Sequence, residues 1–155
     1  SPEILSWKHA VNYIQKKMGS FEIFVSLPAT SPLRKKIDVI NTIKKLKNKT
    51  DVVLTATEAN RNPNFNMVNK KNNGFYDVII SSRRIFNRQE APKAYDLNTV
   101  AFVSKPKFIL KCKSIFDGNV DINLVDKRRS LDIDNSHDLK LARMLIKWFL
   151  RIKYL

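Results

Sequence analysis

Asp132 and Asp134 stand two residues apart in Ser130-Leu131-Asp132-Ile133-Asp134, just ahead of the last apolar-periodic stretch of the chain. In an extended segment side chains alternate, so both carboxylates point to one side, with their Cα atoms about 6.5 Å apart, and Leu131 and Ile133 point to the other. Such a pair suits Mg²⁺, which takes one or two protein carboxylates and completes its octahedron with water and phosphate oxygens. The same residues also suit a helix start, in which Asp134, Asn135 or Ser136 caps the helix that follows.

A second group lies in Pro28-Ala29-Thr30-Ser31-Pro32-Leu33-Arg34. Thr30 and Ser31 offer hydroxyls, the backbone offers N–H groups near a helix start, and Arg34 offers a fork for a carboxylate or phosphate. The competing reading is an ordinary turn in which Ser31 and Pro32 start the next helix. Other chemistry is excluded by composition and pattern. The single Cys112 rules out an internal disulfide, and with His9 and His137 it gives no zinc constellation. There is no Walker-type lysine loop, no Gly-rich dinucleotide motif and no Ser/His/Asp or Cys/His nucleophile arrangement.

The formal charge of +15 over 155 residues is the largest compositional signal. A nucleic-acid footprint needs that charge on one face, whereas an anionic small substrate needs only a few convergent cations. The basic pairs, from Lys16-Lys17 to Lys127-Arg128-Arg129, are scattered, which favours solvated faces and anionic substrates over DNA or RNA. No run reaches the roughly 18 apolar residues of a membrane span and no signal-peptide pattern opens the chain. A reducing, cytoplasmic setting and no membrane partner are expected.

The elements that must hold these groups follow in order. Ser1-Pro2-Glu3 reads as a helix start, and Ile4, Trp7, Val11, Ile14 and Met18 form one stripe that ends at Gly19. Residues 21–27 and 51–57 read as strands buried on both faces. Between them lies a helix with Ile37, Ile40, Ile43 and Leu46 inward, so the three make a right-handed βαβ unit. Loop 28–34 then sits beyond the carboxyl end of its strand, where such sheets bind ligands. A hairpin follows at 67–68 and 75–80 about Asn72-Asn73-Gly74. Residues 99–103 and 120–125 read as strands, 105–113 as a short helix, and 137–154 as a helix with Leu141, Leu145, Trp148 and Ile152 on its core face.

Three segments at compatible spacings resemble the acylneuraminate cytidylyltransferases, the CMP-sialic acid synthetases and their legionaminic- and pseudaminic-type relatives. Leu27 to Arg34 (LPATSPLR) is similar to the family's LQPTSPLR. Residues 62–68 (NPNFNMV) with 88–98 (RQEAPKAYDLN) resemble its middle block, and 130–139 (SLDIDNSHDL) its SIDID ending. The resemblance implies a Rossmann-like α/β nucleotidyltransferase fold in three layers, with a mostly parallel sheet and a small antiparallel hairpin insertion. The N-terminal strand or strands are expected to be missing, with residues 1–155 forming one partial domain and 60–97 a dimerisation-type insertion.

The implied reaction joins a sialic acid-like nine-carbon sugar acid to CTP, giving a CMP-sugar and pyrophosphate. The resemblance puts Mg²⁺ on Asp132 and Asp134. It puts Thr30, Ser31 and Arg34 on the sugar side, with Arg88, Gln89, Tyr95 and Asn98 near substrate, and it implies a homodimer. Pro28-Ala29 replaces a Gln-Pro pair whose Gln contacts the sugar, and Asn98-Thr99 stands where Asn-Gly is common. The family's basic nucleotide loop, of Ala-Arg-x-Gly-Ser-Lys-Gly type, is absent, so this chain alone is expected to be inactive. The competing expectation is a non-catalytic basic α/β protein that binds an anionic partner such as nucleic acid.

Overall fold

Val52 to Thr57 are six consecutive buried residues, and they form the middle of the sheet as strand β2 (Val52–Glu58). A run with no polar alternation is what a strand covered on both faces requires. The structure, a computed structural model, describes residues 3–81 and 85–152; the expected cap at Ser1-Pro2 lies outside it. The chain divides into two compact units, residues 1–56 with 97–155, and residues 57–96.

In the first unit the sheet order is β1-β5-β2-β6, with β1 at Phe24–Ser26, β5 at Tyr95–Ser104 and β6 at Val120–Leu124. β1 pairs antiparallel with β5, Phe24 opposite Ser104, and β2 pairs parallel with β6, Val52 opposite Val120. Between β5 and β2, Lys105 N–H donates to Asp51 O at 3.1 Å and Ala101 N–H to Thr55 Oγ1 at 3.0 Å, so the two run in opposite senses. β1, β2 and β6 therefore share one direction and β5 opposes it, an α/β sheet that is mostly parallel. The expected βαβ unit needs correction, because β5 lies between β1 and β2 and their helix crosses over an occupied strand position. Strand β1 is also shorter than 21–27 and only half-buried, as befits an edge.

Helix α1 (Glu3–Met18) buries Trp7 and Val11, and Trp7 packs its ring on Phe24 and Phe102 at 5.7 and 5.2 Å. Ile14 and Met18, expected on that stripe, are exposed, since the core cluster takes only the first turns. Gly19, at φ 85°, stops the helix, and its N–H returns to Gln15 O at 3.1 Å. Helix α2 (Lys36–Lys45) departs from its expected face. Asp38 and Thr42 are the buried residues while Ile37 is 50% exposed, because the helix meets β6 through a polar ladder. Asn123 Nδ2 donates to Asp38 O at 3.2 Å and to Thr42 Oγ1 at 3.0 Å, and Thr42 Oγ1 donates to Asp38 O at 2.7 Å. A fully satisfied polar seam is tolerated in a core.

Helix α3 (Pro106–Lys111) packs beside α1. Helix α4 (Ser136–Ile152) is rotated from expectation: among its described side chains Ala142 is the buried one and Leu145 and Phe149 are half-buried, whereas Leu141 and Trp148 face out, Trp148 at 49% exposure. The Ile152 side chain, expected on the core face, and the helix end expected at 154 lie outside the described residues. The second unit holds the antiparallel hairpin of β3 (Val68–Lys70) and β4 (Tyr76–Val78), Val68 opposite Val78. Its turn uses Gly74 at φ 87°, whose N–H donates to Lys71 O at 3.0 Å. Asn62 organises the rest of that unit, with its Nδ2 donating to Pro92 O at 2.7 Å and its Oδ1 accepting from Asn64 N at 2.9 Å.

Candidate functional site

Loop 27–35 leaves the carboxyl end of β1 as two successive turns, fixed from inside by buried Ser31 and Leu33. Ser31 and Thr99 share a 2.6 Å hydrogen bond between their hydroxyls, which ties the loop to β5. Arg34 is turned back into the loop: Nε donates to Ser31 O at 3.1 Å and Nη2 donates to Pro28 O. Burial lowers the Arg34 pKa from its ordinary value. Its fork thus shapes the loop, leaving Thr30 as the exposed hydroxyl there.

Residues 125–138 leave the carboxyl end of β6, on the same side of the sheet because β1 and β6 run alike. Asp126 caps a 3₁₀ turn over Lys127–Arg129, accepting from Arg128 N at 2.9 Å, and the Arg128 guanidinium holds its carboxyl far below the usual range. Arg129 then forks onto buried Asp38, Nε to Oδ2 at 2.8 Å and Nη2 to Oδ1 at 2.7 Å. Ser130 to Asp134 follow as irregular chain, and Ile133 N–H donates to Thr30 O at 2.9 Å. That bond brings the two chemically suggestive loops side by side.

The capping alternative resolves in favour of Asn135. Its Oδ1 accepts from His137 N at 2.8 Å and Asp138 N at 3.1 Å, while Asp138 Oδ2 returns to Asn135 N at 3.2 Å and Asp134 N at 3.1 Å. The carboxylates of Asp132 and Asp134 are thus not what caps α4. Asp134 is exposed, and Asp132 Oδ1 is buried with no hydrogen-bond partner. A buried carboxylate oxygen without a donor is costly, and a bound cation would remove that cost. Among the described residues no group of three or more His, Cys, Asp or Glu is placed to hold a metal. Mg²⁺ takes one or two protein carboxylates, and this loop carries two, Asp132 and Asp134.

Asn98 lies early in β5, at the same end of the sheet. Its Oδ1 accepts from Val100 N at 3.3 Å, its backbone O accepts from Thr55 Oγ1 at 3.3 Å, and its Nδ2 is buried without an acceptor. Asn98 Nδ2 and Asp132 Oδ1 are the two buried side-chain atoms without partners among the described residues. Arg88, Gln89 and Tyr95 are assigned apart from this group, in the second unit. Arg88 Nη2 donates to Asn60 O at 3.3 Å, Gln89 sits in a 3₁₀ turn over Arg88–Glu90, and Tyr95 is exposed at the start of β5.

The sequence gives Asp38 no role, Thr99 only one as a departure from the Asn-Gly pattern, and Arg129 only one as part of a basic run. Asp38 carried a usable signal: Lys35 N–H donates to its Oδ2 at 2.9 Å, the N3 half of a helix-start box. Arg129 carried none. A cavity lined by Ser20, Phe21, Glu22, Lys105, Pro106 and Lys107 opens at the opposite end of the sheet, away from these loops.

No protein-family model matches the chain. The chain is 32% identical over 128 residues to post-translational flagellin modification protein B of Campylobacter coli, covering 82% of this chain and 54% of that protein. It is 37% identical over 95 residues to CMP-N,N'-diacetyllegionaminic acid synthase of Campylobacter jejuni, covering 61% of this chain and 39% of that protein. The chain thus spans about half, or less, of the length of these relatives. Its fold is similar to 4-diphosphocytidyl-2C-methyl-D-erythritol synthase of Anaerococcus prevotii, with a TM-score of 0.62 at 14% identity over 95% of this chain and 67% of the other.

Proposed function

We propose, from the premise that this chain belongs to a CMP-sugar synthetase-like family, that it forms the metal and sugar side of a cytidylyltransferase. In the proposed reaction the anomeric hydroxyl of a sialic acid-like nine-carbon 2-keto sugar acid attacks the α-phosphate of CTP, which releases pyrophosphate and leaves a CMP-sugar. One observation carries this reading: the Ile133–Thr30 bond of 2.9 Å joins the backbone next to Asp132, whose Oδ1 has no partner, to the loop after β1, beyond the carboxyl ends of β1 and β6.

Asp132 and Asp134 would hold Mg²⁺, which when bound neutralises phosphate charge and eases deprotonation of the attacking hydroxyl. Asn98 offers its free Nδ2 as a fixed donor to the sugar acid, and the Thr30 hydroxyl is exposed to do the same. Ser31 and Arg34 act one step back, since their polar groups are spent on Thr99 and on the loop carbonyls. We assign Arg88, Gln89 and Tyr95 to the substrate side as well, on the resemblance of their segment. The segment 60–97 is the proposed dimerisation insertion, and exposed Phe75, Tyr76 and Phe86 in it would be covered by a second copy. Among the described residues no helix is long and apolar enough to cross a membrane, and CTP as substrate favours the cytoplasm. The basic run Lys127-Arg128-Arg129 gives little support to a nucleic-acid reading, because Arg128 and Arg129 are held by Asp126 and Asp38.

The test is pyrophosphate release from CTP and Mg²⁺ with sialic, legionaminic and pseudaminic acids, comparing this chain with one extended upstream. Turnover of one of these acids by the extended protein, with none by this chain, is the expected result. No turnover and no binding of CTP or sugar by either would overturn the proposal.

A further inference from the structure

Between Arg129 and Ile133 the chain has only three residues, and both ends of that span land on one short stretch, residues 30–38. Arg129 reaches Asp38 with two prongs at 2.7 and 2.8 Å, and Ile133 N–H reaches Thr30 O at 2.9 Å. Each trans residue spans at most ~3.6 Å, so with both ends fixed Asp132 has little freedom to move. The pair is deeply set, its side chains 19% exposed for Arg129 and 4% for Asp38. Asp38 is itself immobilised: Lys35 N–H donates to its carboxylate, and Thr42 and Asn123 donate to its carbonyl. On the other side Arg129 N–H donates to Asp126 O at 2.8 Å and Ser130 N–H to Lys127 O at 3.2 Å, so the backbone just before the aspartates is already turned.

A buried ion pair is weak evidence for stability, because apolar residues of similar volume often serve as well. What apolar residues cannot supply is a two-pronged planar contact that fixes direction. We propose that the Asp38–Arg129 pair is a strut that aims Asp132 for cation binding, which makes Asp38 and Arg129 positioning residues. The inference rests on the metal role given above to Asp132 and Asp134.

The test uses Mn²⁺ as the probe, read by electron paramagnetic resonance on this chain well below its melting temperature, without turnover. Four proteins are compared: wild type, Asp132→Asn, Arg129→Lys, and the paired apolar replacement Asp38→Leu with Arg129→Met. Asp132→Asn should lose Mn²⁺ binding. The paired replacement should keep the circular dichroism spectrum and weaken Mn²⁺ by about tenfold or more, the usual cost of disturbing the partners that orient a metal ligand. Arg129→Lys, which keeps charge but not the fork, should fall between. If Asp132→Asn binds as wild type does, or wild type binds no Mn²⁺, the metal reading fails and the strut with it. If Asp132→Asn loses the ion while the paired replacement binds like wild type, the strut alone is overturned. Should the paired replacement not fold, Arg129→Lys decides, and unchanged Mn²⁺ affinity in it overturns the proposal.

Discussion

The Ile133 amide donates to the Thr30 carbonyl across 2.9 Å, which joins two loops that leave different strands of one sheet. Neither partner uses a side chain, so the join survives most substitutions at either position and leaves the Thr30 hydroxyl for other work. The proposed chemistry depends on that join, since it ties the backbone next to Asp132 to the loop after β1.

Asp132 gives the sharpest separation of function from stability. Its Oδ1 is buried without a donor, so in chelator the charge opposes folding. On the proposed metal role Asp132→Asn should abolish turnover in the protein extended upstream, while thermal unfolding in EDTA stays level or rises, by up to about 1 kcal/mol of stability. A clear drop in melting temperature would show instead that this carboxylate has a structural partner.

Arg34 is expected to act on the loop rather than on substrate. Arg34→Ala takes the guanidinium donors from the Pro28 and Ser31 carbonyls, leaving Pro28 O only the Ser31 N–H at 3.4 Å, and should cost about 1–3 kcal/mol in urea unfolding. The loss should be present with no ligand at all. An unchanged urea midpoint would free Arg34 for a direct substrate contact.

Asp38 predicts a pH dependence. Burial acts to raise its carboxyl, but the Arg129 fork and the Lys35 N–H outweigh burial and hold it below the ordinary value of 3.8. The unfolded chain then takes the proton more readily than the folded one, so the contribution is complete above about pH 5 and fades as pH falls through the folded value. Asp38→Asn should cost about 3 kcal/mol near neutrality by taking the forked partner from Arg129 and leaving it only Asp126, whose Oδ2 lies 3.5 Å from its Nη1. The gap from wild type should narrow as pH drops below 4 in urea titrations. A gap that held constant to pH 3 would mean the pair does not titrate as described.

Gly118 lies between α3 and β6 where no side chain fits. A Cβ there would press on the Phe108 ring and on Asp51, whose Oδ2 accepts from Asn119 N at 2.9 Å. Gly118→Ala should destabilise by roughly 1–3 kcal/mol through that crowding, checked by thermal unfolding, and should leave Mn²⁺ binding unchanged.

What the sequence revealed was local. The unbroken run Val52 to Thr57 and the Asn-Gly turn at Gly74 announce a buried strand and a hairpin because each needs only its own residues. Period counting failed on α2, where Asp38 and Thr42 face inward to meet Asn123 and a polar seam has no apolar signature. It failed on α4 for the opposite reason: Ala142 is small enough to let the helix approach closely, and counting large apolar residues passes over it. Asp132 and Asp134 were visible as a pair, but the partner of Arg129 lies 91 residues away and no spacing rule reaches that far.

The placement of β5 between β1 and β2 also sets an order of assembly. β1 and β2 are made first and are not neighbours in the finished sheet; the strand that joins them comes only after residues 57–96 have been traversed. At roughly 5–20 residues per second the nascent chain waits a few seconds with both edges open. Sequence changes in the 57–96 unit can therefore alter the yield of folded protein without touching the finished sheet, by lengthening or shortening the interval in which β1 and β2 stand unpaired.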